Sequence, residues 1–282
     1  MQTNVQGRAS DSDWLMSPTQ TRLQLQAATG IHRGDRQYQQ DRIEVFPHAR
    51  VPGLVLAVVA DGMGGRSGGR MAADQVMLTA QQLFDRYVPS QDDPRSLLQS
   101  IVRESHLMIK LSAISAEQEP HSTVACALVE PNGSCHWAHV GDSRVHVFRG
   151  GKLETRTKDH SYVQELVDAG ALSETMARNH PMSNVLTASL GADEEPPFNY
   201  ESIRLKPGDV VLLCSDGLWH YFIDAELGSV LDRLEPRESC EFLIAKARQR
   251  AVGGGDNLSL AVLKLLRIDP RSTTAPRIAK SR

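Results

Sequence analysis

The order in which helix-like and strand-like segments follow one another constrains this chain most. Residues 67–87 carry Ala72, Val76, Ala80, Leu83, Phe84 and Tyr87 at helical spacing. Residues 94–115 repeat the pattern with Leu97, Ile101, Met108 and Leu111, so two long helices follow each other. Strand candidates come next at 123–129, 135–140 and 145–149. Pro131-Asn132-Gly133 and Arg149-Gly150-Gly151 between or after them are hairpin signals. The apolar runs 54–60, 210–214 and 258–265 read as buried strands. Later helices are expected at 161–169, 225–234 and 237–251. Ser161 with Gln164 forms a capping-box pattern, Gly170 a stop, Asp224 an N-cap, and Pro236 a helix start. Elements grouped in this way predict an α+β layered domain; a doubly wound parallel sheet would need strand and helix to alternate.

Charge and length narrow the function classes. With 31 Lys+Arg against 34 Asp+Glu the formal net charge is −3, far from the basic excess of a nucleic-acid coat. A 40% apolar share rules out an acidic disordered chain. No apolar run approaches the roughly 20 residues that span a bilayer, and the first residues lack a secretion-signal pattern. Four cysteines, Cys126, Cys135, Cys214 and Cys240, form no C-x-x-C pair and read as reduced, buried core. A cytoplasmic monomer with neither nucleic acid nor membrane as partner is expected. Residues 1–22 read as a flexible extension and 23–266 as one domain; 267–282, with five basic residues and one acid, read as a flexible basic tail.

One local pattern recurs. An apolar strand ends and an Asp sits at its exit beside a small or turn-forming residue: Ala60-Asp61-Gly62, Gly141-Asp142-Ser143 and Ser215-Asp216-Gly217. Gly255-Asp256-Asn257 places a fourth Asp ahead of a strand. Each alone is equally a turn signal. Together they put carboxylates where they could converge on one rim of a sheet, repel one another and raise their pKa values. A divalent cation would remove that penalty, and an oxygen-only donor set favours Mg²⁺ or Mn²⁺ over zinc. Other chemistries fail on inspection: there is no H-E-x-x-H, no Gly-Lys-Ser/Thr phosphate loop and no cysteine-phosphatase loop.

The ordered blocks resemble the metal-dependent serine/threonine protein phosphatases of the PP2C (PPM) family in their bacterial form. They are Arg36-Gln37-Tyr38-Gln39-Gln40-Asp41, Asp61-Gly62-Met63-Gly64-Gly65, Ser122-Thr123, Val140-Gly141-Asp142-Ser143-Arg144, Asp159-His160-Ser161, His180-Pro181 with Asn184, Ser215-Asp216-Gly217-Leu218 and Gly255-Asp256-Asn257. The resemblance covers about residues 29–266. It implies a four-layer α-β-β-α sandwich, with two central antiparallel sheets flanked by pairs of antiparallel helices and the site at one end.

By the same resemblance, Asp61 bridges two Mn²⁺ or Mg²⁺ ions, the Gly62 carbonyl binds one, and Asp216 and Asp256 complete the other. Asp41 lies beside them, and Asp142 would share a third, weaker ion with Asp216. Arg36 grips the substrate phosphate, since a planar guanidinium fork suits phosphate oxygens; Arg33 is its competitor. Three carboxylates against two divalent ions leave the cluster at about +1, and a bridging water acidified towards roughly pKa 7 attacks phosphorus. Phosphoserine and phosphothreonine proteins, products of a paired kinase, are the expected substrates. Met63 stands where many eukaryotic relatives carry a His proposed as general acid; Met cannot donate a proton, so water on a metal is the expected donor. His160 and His180 read as structural. A phosphatase-like binding or sensor module without turnover, or a hydrolase of small phosphoesters, are the alternatives.

Overall fold

The computed structural model describes residues 22–114, 119–268 and 278–280. In chain order its elements are β1 (Arg22–His32), β2 (Arg42–Pro47), β3 (Val55–Ala60), β4 (Gly62–Met63), α1 (Gly65–Arg86), α2 (Pro94–Ile114), β5 (His121–Ser122), β6 (Val124–Val129), β7 (Ser134–Val140), β8 (Arg144–Arg149) and β9 (Lys152–Arg156). They continue with α3 (Tyr162–Asp168), α4 (Glu174–Arg178), β10 (Asn199–Arg204), β11 (Val210–Cys214), α5 (Asp216–Trp219), α6 (Asp224–Arg233), α7 (Pro236–Ala251), β12 (Leu258–Ile268) and β13 (Ile278–Lys280).

Two sheets face each other. One runs β13-β1-β12-β11-β8-β9 and the other β10-β7-β6-β3-β2. Every pairing is antiparallel except that of β13, which joins β1 in parallel. The layering follows from where apolar side chains alternate. Val55, Ala57, Val59, Ala127, Val129 and Trp137 of one sheet meet Val147, Val211, Leu213, Leu263 and Leu265 of the other. The opposite faces of those strands are apolar too. Leu56, Val58, Cys126 and Leu128 pack under α1 and α2, and Leu212, Cys214, Leu260 and Val262 pack under α5, α6 and α7. Strands covered on both faces must be apolar throughout, which is why residues 54–60 and 210–214 read as continuous runs. Each such Leu or Val stabilises the fold by about 1.5–3 kcal/mol. The α-β-β-α sandwich is therefore present. All four cysteines are free and buried, and no helix among the described residues is long and apolar enough to cross a membrane.

Register brings one end of both sheets to the same place. Arg42 pairs with Ala60, Val59 with Ala125, and Val124 with Val140. In the other sheet Cys214 pairs with Leu260 and Arg144, and His32 with Leu258. The exits of β3, β7 and β11 and the entries of β2 and β12 thus share one rim.

Several local expectations are corrected. On α2 the buried face is Leu97, Leu98, Ile101, Val102, Ser105, His106 and Ile109, whereas Met108 and Leu111 are exposed at 43% and 50%. Ser105 and His106 occupy inward positions, so an apolar-only reading followed the wrong stripe. Ser161 caps α3 by accepting from the Gln164 N–H at 3.3 Å, but the Gln164 side chain turns to Asp168, leaving the box half made. Asp224 is the first residue of α6 and Ile223 its cap; the Asp224 carboxylate faces Arg156 and His146, each at 3.8 Å. Of the expected tail, Arg267 and Ile268 continue β12 and Ile278–Lys280 form β13. Residues 1–21 and the rest of the tail lie outside the described residues.

Candidate metal centre and active site

Asp61, Asp142 and Asp41 are each held by hydrogen bonds to a peptide group or to the carboxylate. The Asp61 N–H donates to Thr123 Oγ1 at 3.0 Å, and its carbonyl accepts from the Thr123 N–H at 2.8 Å and Ser122 Oγ at 3.1 Å. Thr123 Oγ1 also meets Ser143 Oγ at 2.7 Å, which ties the Asp61 peptide to the loop of Asp142. The Asp142 carbonyl accepts from Trp219 Nε1 at 2.9 Å. Asp41 is fully buried, and Ser215 Oγ donates to its Oδ2 at 2.7 Å. Asp216 opens α5 directly after β11. Gly62 and Gly69 lie back to back. A Cβ on Gly62 would come within 1.9 Å of the Gly69 oxygen, and one on Gly69 within 2.4 Å of the Gly62 oxygen. Only glycines let α1 approach this closely.

The electrostatics are those of crowded acids. Burial, then Asp41, Asp216, Asp142 and Asp256, hold the Asp61 carboxyl well above the usual range. Burial, then Asp142, Asp256 and Asp41, do the same to Asp216. Burial first, with Asp159 adding to it, pushes Asp142 up to about 7 despite Arg144. Asp41 rises to about 6, mainly through burial, against the hydroxyls of Ser215 and Ser259. Asp41 Oδ1 and Asp216 Oδ1 are buried without a hydrogen-bond partner. Such orphaned, mutually repelling oxygens are what hard cations satisfy. Among the described residues no three His, Cys, Asp or Glu side chains are close enough, as they stand, to hold one ion alone. The donors gathered here are oxygens alone, which suits hard cations over zinc.

A loop at residues 33–41 closes one side. Arg36 Nη2 reaches Asp256 Oδ2 at 2.5 Å, and its guanidinium also feels Asp216 and Asp61. Arg33 instead folds onto its own loop, 3.5 Å from the Gln37 carbonyl. Of the two arginines, the structure brings Arg36 to the rim. Sequence reasoning missed what positions this loop. Asn257 Nδ2 donates to the carbonyls of Arg33 and Tyr38 at 2.8 and 2.9 Å, and its Oδ1 accepts from the Gln40 N–H at 2.6 Å. Arg248 forks onto Asp35 at 2.6 and 2.7 Å. Ser215 and Asn257 stood inside quoted blocks, so their signal was available. Asp35 and Arg248 are 213 positions apart with no pattern joining them.

The sequence profile of the family described as Protein phosphatase 2C matches residues 30–249. The chain belongs to that family. A putative protein phosphatase 2C-type from Streptococcus pyogenes is 32% identical over 237 residues, covering 81% of this chain and 92% of that protein. The serine/threonine protein phosphatase PstP of Mycobacterium tuberculosis is 33% identical over 222 residues, 77% of this chain and 41% of PstP. Among solved structures, the serine/threonine phosphatase Stp1 of Staphylococcus aureus matches with a TM-score of 0.78 at 26% identity, over 92% of this chain and 99% of that one. The catalytic domain of PstP in complex with two manganese ions matches with a TM-score of 0.73 at 29% identity, over 86% and 99%. This chain is thus a PP2C-type protein serine/threonine phosphatase, of a family that works with Mn²⁺ or Mg²⁺.

Proposed function

We infer that the phosphatase activity is carried by the acidic rim together with Arg36. The observation that carries this reading is the orphaned buried oxygen of Asp216 beside the raised carboxyl of Asp61. Asp61, Asp216, Asp256 and the Gly62 carbonyl would hold two divalent ions, with Asp41 alongside and Asp142 sharing a third with Asp216. Bound there, the ions supply Lewis acidity: they acidify water and draw charge from the phosphoryl oxygens. Arg36 exchanges Asp256 for phosphate oxygens and sets the phosphorus in line for water. Asn257 and the Arg248–Asp35 fork keep the Arg36 loop from wandering. Thr123 keeps the Asp61 peptide fixed while charge shifts above it. No side-chain nucleophile takes part, so no phosphoenzyme forms.

The substrates are phosphoserine and phosphothreonine proteins made by a partner kinase, met by a monomer in the cytoplasm. Four reduced, buried cysteines support that compartment. The experiment is hydrolysis of a phosphothreonine peptide with Mn²⁺, with and without chelator. Turnover should need the ion and collapse in Asp216→Asn. Activity that survives both changes would refute the assignment.

A further inference from the structure

The segment between β9 and β10 begins against the rim, and His160 is its root. The His160 N–H donates to the Gly141 carbonyl at 2.9 Å, and its ring Nδ1 accepts from the Gly141 N–H at 3.2 Å. Its own carbonyl accepts from the Thr187 N–H at 2.9 Å, so the returning end of the segment is tied to the same residue. The ring is held on two further sides. It stacks on His139, with centroids 4.6 Å apart and planes 11° from parallel. Its Nε2 lies 2.9 Å from the side-chain amide of Asn199. His139 is fixed in turn by a 2.6 Å bond from Nε2 to the Lys158 carbonyl.

Gly141 is the residue that aims the chain into Asp142. It sits at φ +93°, and a Cβ there would come within 2.7 Å of Thr123 Cγ2. A glycine in that region is free to rotate unless something outside it holds its peptide groups. His160 takes both of them.

We propose that His160 is a positioning residue that grips both backbone groups of Gly141 and thereby aims the Asp142 carboxylate, setting the affinity of the ion Asp142 takes. The metal half rests on the reading of Asp142 as a ligand. The ring chemistry follows. Because Nδ1 accepts, the neutral imidazole carries its proton on Nε2, and Asn199 must turn its amide oxygen towards it. Burial, then the neighbouring His139, pushes His160 down to about 4, so the ring stays neutral where the clamp is needed. An Asn side chain can place Oδ1 near the Nδ1 position and accept the same bond; Ala cannot.

The test uses the full chain with His160→Ala, His160→Asn and Asp142→Asn. Long-range ¹H–¹⁵N spectra of the wild-type protein with Mg²⁺ should show His160 protonated on Nε2; a proton on Nδ1 overturns the clamp. Calorimetric titration with Mn²⁺ should show the weaker site loosened about tenfold or more by His160→Ala, as expected when an outer partner of a metal ligand is lost. His160→Asn should recover most of that loss. In the Asp142→Asn background, His160→Ala should change Mn²⁺ binding no further. Equal losses in the Ala and Asn variants, or a loss that adds to that of Asp142→Asn, overturn the positioning role. A wild-type titration in Asp142→Asn alone refutes the ligand reading and with it the metal half, while the ring spectrum decides the clamp by itself.

Discussion

Two sets of buried acids in this molecule are treated in opposite ways. Asp159 faces Arg144 through paired bonds of 2.8 and 2.7 Å, and the guanidinium lies 3.5 Å from the centre of the Trp219 ring. Asp209 is met by Arg149 at 3.0 and 2.8 Å and by the Lys206 N–H at 2.8 Å. These acids are neutralised within the fold. At the rim, Asp41, Asp61, Asp142 and Asp216 face one another, and Arg36 reaches only the outermost, Asp256. The contrast teaches that charge burial here is no accident of packing. Where the fold needs an acid it provides the base; at the rim most of the counter-charge is left unsupplied by the protein, which is what the proposed ions would bring.

Removing one acid from each set should have opposite consequences. Asp159→Ala leaves the buried Arg144 uncompensated and should cost about 3–5 kcal/mol in denaturant unfolding. Asp216→Asn should leave the chelated protein as stable as wild type or more so, because a repulsion is lost. Its activity should fall at least about a hundredfold, comparable with losing a principal transition-state contact. If both substitutions destabilise alike, the two sets are not different in kind.

Arg36 sharpens the contrast within the rim. Arg36→Ala should lower kcat/KM about tenfold to a hundredfold through loss of charge-assisted bonds to phosphate, with Mn²⁺ affinity little changed. Arg33→Ala should do much less in the same assay.

The pH dependence of metal stabilisation is the next measure. Folded Asp41 and Asp142 keep their protons up to about 6 and about 7, well above the ordinary aspartate value of about 4. Between these limits the folded, chelated state binds more protons than the unfolded one, so stability falls as pH rises through the window. His146 and His160, held below their usual value chiefly by burial, work in the opposite sense on the acid side. That contribution is common to chelated and Mn²⁺-loaded protein. The difference in Tm between the two should therefore widen from pH 5.5 to pH 7.5; a constant gap would contradict the rim account. The smallest effect belongs to the exposed pair Arg237–Glu241 at 2.9 Å: Arg237→Ala should shift stability by less than about 1 kcal/mol.

Legibility in the sequence followed burial. Residues 54–60 and 210–214 were readable because both faces of those strands are covered, and α1 because its stripe is unbroken. Strands β9 and β10 were missed because each is an edge strand with a mostly polar sequence, Lys152–Arg156 and Asn199–Arg204. The rim acids were legible because four of them share a turn chemistry at strand ends, three at exits and Asp256 at an entry. Their supports were not: Ser215 to Asp41 spans 174 positions, and Asn257 to Arg33 spans 224. Such contacts exist only once register has closed both sheets. The Arg144–Asp159 pair lay inside two quoted blocks, yet nothing in those blocks marked one as the other's partner.

The stoichiometry of ion binding tests the role of the acidic rim most directly. Calorimetric titration of the chelated full chain with Mn²⁺ at pH 7.5 should give two well-bound ions per chain, and Asp216→Asn should lose at least one of them without unfolding. Wild-type binding in Asp216→Asn, or no binding to the wild-type chain, would contradict it.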